Sequence, residues 1–157
     1  MIMTRFVIVA VLALFASWPA AAMNIDRVVS PGGIEAWLVQ DHTIPALAVE
    51  VTFRGGAAVE PRGKEGTATL LGSMLTEGAG DLDSQRFQGT LEDLSIALGF
   101  DAGLDTFTAS LRTLTENLDT AAQLMQLALT RPRFDAADFA RVKTRIATGD
   151  RKSTRLN

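Results

Sequence analysis

The stretch LAVEVTFR, Leu47 to Arg54, alternates without a break: Leu47, Val49, Val51 and Phe53 on one side, Ala48, Glu50, Thr52 and Arg54 on the other. A period of two sends successive side chains to opposite faces of a pleated strand, so the segment has one apolar face to bury and needs a sheet to belong to. Upstream, Ile25 to Val29 and Ile34 to Val39 flank Ser30-Pro31-Gly32-Gly33, a turn signal, and predict two strands in a tight hairpin. The three segments together predict a half-buried antiparallel meander.

Helical spacing takes over after the Gly- and Pro-rich loop Gly55 to Gly63. GTATLLGSMLTEG, Gly66 to Gly78, reads as a helix stopping at Gly78-Ala79-Gly80. A second helix is predicted from Asp83 or Ser84, with Phe87, Leu91, Leu94 and Leu98 on one face and Gly99 as its stop. Asp101 to Leu104 and Thr106 to Thr113 alternate as a hairpin would. Thr113 and Glu116 have capping-box spacing ahead of a helix that carries Leu118, Ala121, Ala122, Met125 and Leu129 and ends before Pro132. Asp135 is the expected N-cap of a last helix, with Phe134 stapled onto Phe139 and with Val142 and Ile146 buried. Strands and helices segregated in this order predict an α+β fold, an antiparallel or mixed sheet with helices packed on one face.

Both ends of the 157-residue chain call for separate treatment. Arg5, the apolar run Phe6 to Ala16 and the small residues Ala20-Ala21-Ala22 make a secretory signal over residues 1–22, with cleavage expected after Ala22. Spanning a bilayer takes about 20 apolar residues, so this run predicts export and not a membrane anchor. DRKSTRLN, residues 150–157, matches in one choice of codons a sequencing-library adapter read in frame; the expectation is a non-native end, a truncated domain over 23–149 and a natural protein that continues. Setting aside Arg5, Arg151, Lys152 and Arg155 from the 15 basic residues and Asp150 from the 18 acidic ones leaves 11 and 17, a net charge of −6. No basic patch survives, so nucleic acid is not an expected partner.

The side chains refuse several chemistries. His42 is the only histidine and cysteine is absent, whereas a protein zinc site draws three or four ligands from His, Cys, Asp and Glu and almost always includes His or Cys. His42 reads as a solvated turn residue, and no serine sits in G-x-S-x-G. A phosphate loop ending at Gly63-Lys64 would need Gly at position 58 and Ser or Thr at 65, where Ala58 and Glu65 stand. Glu50, Glu60, Glu65 and Glu77 read as solvated surface, and Trp37 and Phe107 as packing residues on strands.

One pattern is unusual. Thr69, Gly72, Ser73 and Thr76, at i, i+3, i+4 and i+7, give the helix over 66–78 a small, uncharged stripe, with Ala68, Leu70, Leu71, Met74 and Leu75 opposite. Such a stripe admits close approach of another backbone; it also suits a helix that once bore large ligands there. Periodicity does not choose between the two.

From Gly33 to about Gly149 the chain resembles the N-terminal domain of the insulinase/pitrilysin family, the inverzincin metallopeptidases. The resemblance rests on ordered blocks: FRGGAAVEPRGKEGTA, TLLGSMLTEGA, FQGTLEDLSIALGF, DAGLDTFTASLRTL and TENLDTAAQLMQLALTRPRFDAADFARVK. It implies a fold like that of the mitochondrial processing peptidase's N-terminal domain. In active members the corresponding helix bears H-x-x-E-H, two zinc ligands and a general base. Here the same positions read Thr69-Leu70-Leu71-Gly72-Ser73, and no acidic residue follows Arg141 before Asp150 to serve as the third ligand. The resemblance therefore implies no catalytic or metal-binding residue in this chain, zinc only in a catalytic partner, and a small stripe that is the stripped wall of a metal cleft. It further implies an exported, periplasmic, non-catalytic subunit that pairs with a catalytic insulinase/pitrilysin-like subunit and offers chamber wall and peptide-binding surface. The alternatives are a stand-alone periplasmic scaffold or binding module, or a peptidase by family assignment only.

Overall fold

A computed structural model describes residues 24–154, with side chains described as far as Gly149. The expected export signal over residues 1–22 lies outside the described residues. Contacts divide the chain after Thr43 into two compact units.

The first unit holds a hairpin of β1 (Ile25–Val29) and β2 (Glu35–Val39), paired antiparallel from Ile25 opposite Val39 to Val29 opposite Glu35. The predicted turn forms: Gly33 takes a positive φ of 80° and donates its N–H to the Ser30 carbonyl, and the Ser30 hydroxyl accepts from the Ile34 N–H. Trp37, read from sequence as a packing residue, is instead 78% exposed.

The second unit is built on a three-stranded antiparallel sheet in the order β3 (Ala46–Arg54), β5 (Thr106–Leu114), β4 (Ala97–Ala102). The partner of β3 is β5, in register from Ala46 opposite Leu114 to Arg54 opposite Thr106, so the predicted three-strand meander does not form. Alternation reveals which face a strand buries and is silent on its neighbour. Val49, Leu111 and Leu98 line up across the three strands, as do Val51, Ala109 and Phe100. On this face sits the core, where Ala109 and Leu111 meet Phe87 and Leu91 of α2 (Ser84–Asp93) and Ala121, Leu124, Met125 and Ala128 of α3 (Leu118–Thr130). The expectation of an α+β layer with helices on one sheet face holds.

Several predicted boundaries shift. Helix α2 is capped by Asp83, whose carboxylate accepts from the Arg86 N–H at 2.9 Å, but it ends at Asp93 and not before Gly99. Ser95 takes a left-handed φ of 52°, and the Ile96 N–H returns to the Leu91 carbonyl at 2.8 Å, a Schellman-type closure with both apolar partners buried. Leu98 and Gly99 then belong to β4, opposite Leu111 and Ser110. Thr113 caps nothing, being buried in β5; a single 3-10 turn, Thr115–Asn117, precedes α3. Asn117 instead donates its side-chain N–H to the Leu94 carbonyl at 3.0 Å, closing the end of α2. Ala122 and Leu129, predicted for the buried stripe of α3, are exposed, and Leu124 and Ala128 take their places.

Two more helices complete the unit, α1 (Thr67–Met74) and α4 (Ala136–Thr154), which pack on each other. Helix α1 is shorter than predicted. Beyond it Gly78, at φ 109°, and Ala79 turn the chain, and the Gly80 N–H donates to the Arg131 carbonyl. In α4 the first backbone bond runs from the Phe139 N–H to the Asp135 carbonyl, while the Asp135 carboxylate is held by Arg133 at 2.7 Å. Phe134 and Phe139, predicted to staple, are 45% and 42% exposed. No described helix is long and apolar enough to cross a membrane.

Candidate functional site

Helix α1 begins without a Ser, Thr, Asp or Asn cap. Gly66 occupies the cap position at φ 89°, and the freed amides are taken by a carboxylate from the preceding loop: Glu60 accepts from Gly66 N–H at 2.8 Å and from Ala68 N–H at 2.6 Å. A carboxylate there answers both the orphan donors and the positive end of the helix. Glu60, read from sequence as solvated, is half-buried in this role. The residues next to Gly66 carry no sign of this cap, because its carboxylate comes from six positions away.

Thr69, Gly72 and Ser73, the positions set against H-x-x-E-H by resemblance alone, do not share one surface. Thr69 is exposed, Ser73 half-buried and Gly72 buried. A β-carbon at Gly72 would lie 2.7 Å from the Phe100 carbonyl oxygen and 3.5 Å from the Phe107 ring. Phe100 and Phe107 stack at 6.4 Å beneath it. Close backbone packing is therefore the physical role of Gly72, which presses on β4 and does not face an open cleft.

These residues do not fit a zinc ion. Thr69 and Ser73 offer neutral hydroxyls where thiolate, imidazole or carboxylate is required, and Gly72 offers nothing. Among the described residues no group of three or more His, Cys, Asp and Glu converges to hold a metal. His42 is exposed in the first unit.

Charge chemistry gathers elsewhere. Glu77, three residues beyond α1, is only 4% exposed, a correction to its reading as solvated surface. Its carboxylate accepts from Ser84 Oγ at 2.7 Å and from Arg141 Nη2 at 2.6 Å, with Arg145 Nη2 at 3.5 Å. Arg141 also binds Asp138 at 2.7 Å. Burial pushes the Glu77 carboxyl up, but the Arg141 and Ser84 hydrogen bonds and the two guanidinium charges outweigh it, and the net shift is downward. The Glu77 and Asp138 hydrogen bonds push Arg141 up. The cluster walls a polar groove of about 640 Å³, whose rim includes Thr76, Ser84 and Gln88. Sequence reasoning missed it because the partners lie more than 60 positions apart, at 77, 141 and 145. The spacing of Arg141 and Arg145, one turn apart on one helix, was the only available hint.

The fold and site thus define an α+β domain whose described residues gather no metal-ligand set. No protein-family model matches the chain. The chain is 26% identical over 144 residues to the "Non-peptidase homolog YmxG" of Helicobacter pylori (strain ATCC 700392 / 26695), a match covering 92% of this chain and 33% of that protein. A crystal structure of a peptidase M16 inactive domain from Pseudomonas fluorescens superposes with a TM-score of 0.73 at 26% identity, over 81% of this chain and 31% of that one. A protease structure from Helicobacter pylori shares the fold, with a TM-score of 0.70 at 18% identity over 83% of this chain and 31% of that one. In sequence and fold the chain is similar to N-terminal-like domains of the insulinase/pitrilysin (M16) kind, a non-peptidase homologue among them, and it spans about a third of the length of the relatives it matches.

Proposed function

We propose that this chain is an exported, periplasmic, non-catalytic subunit of a zinc peptidase of the insulinase/pitrilysin family, supplying chamber wall and peptide-binding surface to a catalytic partner. The observation that supports the reading most directly is the state of α1. By the resemblance, α1 is the helix that bears H-x-x-E-H in active members, and here it carries Thr69, Gly72 and Ser73 at those positions. A scaffold kept while its chemistry is absent suits a protein whose surface, and not its reactivity, does the work. Peptide recognition by an added strand needs only a backbone edge and side-chain pockets, both of which a domain without metal still has. The edge position of β3 in its sheet supports this reading.

Zinc and the peptide-bond chemistry then belong to the partner, which would carry intact H-x-x-E-H and its own third ligand. The test is reconstitution. The mature chain alone should carry no stoichiometric zinc and cleave no peptide. Mixed with an H-x-x-E-H peptidase encoded beside its gene, it should form a complex of fixed stoichiometry in size-exclusion chromatography with light scattering and raise that peptidase's kcat/KM. Chelator-sensitive cleavage by the chain alone would defeat the reading, as would a neighbouring peptidase that neither binds it nor changes rate.

A further inference from the structure

Over its described side chains, residues 136–149, helix α4 makes little apolar contact. It runs from Ala136 to Thr154, yet of its described apolar side chains only Val142 is fully buried, with Ile146 half-buried, while Phe139 and the alanines stay exposed. Its polar anchorage is by contrast concentrated on one point. Arg141 and Arg145 both reach the Glu77 carboxylate, which Ser84 Oγ also holds, and Asp138 braces Arg141 from the other side. Asp83, at the start of α2, is the remaining titratable group lining the same groove.

We propose that α4 opens and closes as a unit against α1, and that the Glu77 carboxylate, gripped by Arg141 and Arg145, is its catch. Local opening draws on elements with few buried apolar contacts, and α4 buries Val142 where α3 buries Ala121, Leu124, Met125 and Ala128. The catch differs from a surface ion pair in one respect. With α4 in place the Glu77 side chain is only 6% exposed, whereas Arg141 and Arg145 are 50% and 58% exposed, so the contact is desolvated mainly on the carboxylate side. Opening parts the groove between Thr76, Ser84 and Gln88 on one side and Arg141 and Arg145 on the other, and uncovers the flank of α1 against which α4 packs.

Native-state amide hydrogen exchange on the mature chain tests this. In Glu77→Gln, amides from Val142 to Thr148 are expected to exchange on the order of 10- to 100-fold faster, with those of α3 and β5 changed by less than about twofold. Arg145→Gln, which removes only the 3.5 Å contact, should accelerate the same amides by a smaller factor of about 3 and serves if Glu77→Gln fails to fold. Unchanged exchange in α4, or equal acceleration of α3, β5 and α4 together, would overturn the proposal.

Discussion

Gly72 and Phe100 are in backbone contact: a single added β-carbon on α1 would come within 2.7 Å of the Phe100 carbonyl oxygen on β4. Glycine in mid-helix is normally a weakness, by roughly 1 kcal/mol against alanine. Here the conformational gain from alanine competes with a clash against main chain, which has no rotamer to yield.

The first prediction follows from that competition. Overpacking a core costs about 1–3 kcal/mol against a propensity gain of roughly 1, so Gly72→Ala should lose up to about 2 kcal/mol of stability, read as a lower urea midpoint. Ser73→Ala, next to it and half-buried, should stay within about 0.5 kcal/mol. A Gly72→Ala variant as stable as the parent in urea unfolding would show that α1 moves away freely.

Refitting the peptidase motif should fail for the same reason. The triple variant Thr69→His, Gly72→Glu, Ser73→His supplies two ligands and a base on paper, but the residue at 72 must push α1 off β4, and no acidic residue between Arg141 and Gly149 offers the third ligand. Metal analysis after dialysis should find well under one zinc per chain, and thermal unfolding should show a lower Tm than the parent. Tight, stoichiometric zinc in this variant would contradict the geometry.

Acid should loosen the molecule through Glu77. Its folded carboxyl titrates below the ordinary 4.5, so the unfolded chain takes up a proton first. The stability it contributes is complete above about pH 4.5 and disappears as pH falls through the folded value. Removing one partner of a buried pair costs about 3–5 kcal/mol, but Arg141 is half in water, which brings Glu77→Gln down to roughly 1–3 kcal/mol at pH 7. Urea midpoints of parent and variant should converge over the acid window that opens near pH 4.5 and runs below it. A constant gap across that window would rule out the titration.

Glu60 should behave as a helix cap although it lies six positions before Gly66. Glu60→Ala leaves two amides without their acceptor and should cost about 0.5–2 kcal/mol. The accompanying sign is faster amide exchange at Gly66 and Ala68 than at Leu118 or Asp119 in α3. Equal rates at both helix starts would mean that water replaces the carboxylate without loss.

What could be read in advance divides along physical lines. The β1–β2 turn, the start of α2 near Asp83 and the buried Val142 each depend on neighbours in sequence, and the structure places them as expected; β3 also forms, but of its alternating apolar face only Leu47 and Val49 are half-buried, while Val51 and Phe53 are exposed. The end of α2 was misread because Leu94 and Leu98 satisfy a helical period, while pairing of Leu98 with Leu111 across the hairpin is worth more than one further helical turn. The partner of β3, the burial of Glu77 and the capping by Glu60 are set by segments that meet only in three dimensions. The motif positions were legible as residue types, yet their division between an exposed Thr69 and a buried Gly72 required the sheet beneath them.

The bond from Asn117 to the Leu94 carbonyl sets an order of events during synthesis. A nascent chain that has emerged only as far as Asp93 possesses every residue of α2, but the acceptor at its end waits for a donor 23 positions further on, with both strands of the β4–β5 hairpin in between. The ribosome must therefore release the hairpin before that helix acquires its finished terminus, and a nick within β4 or β5 would leave donor and acceptor joined by non-covalent contacts alone.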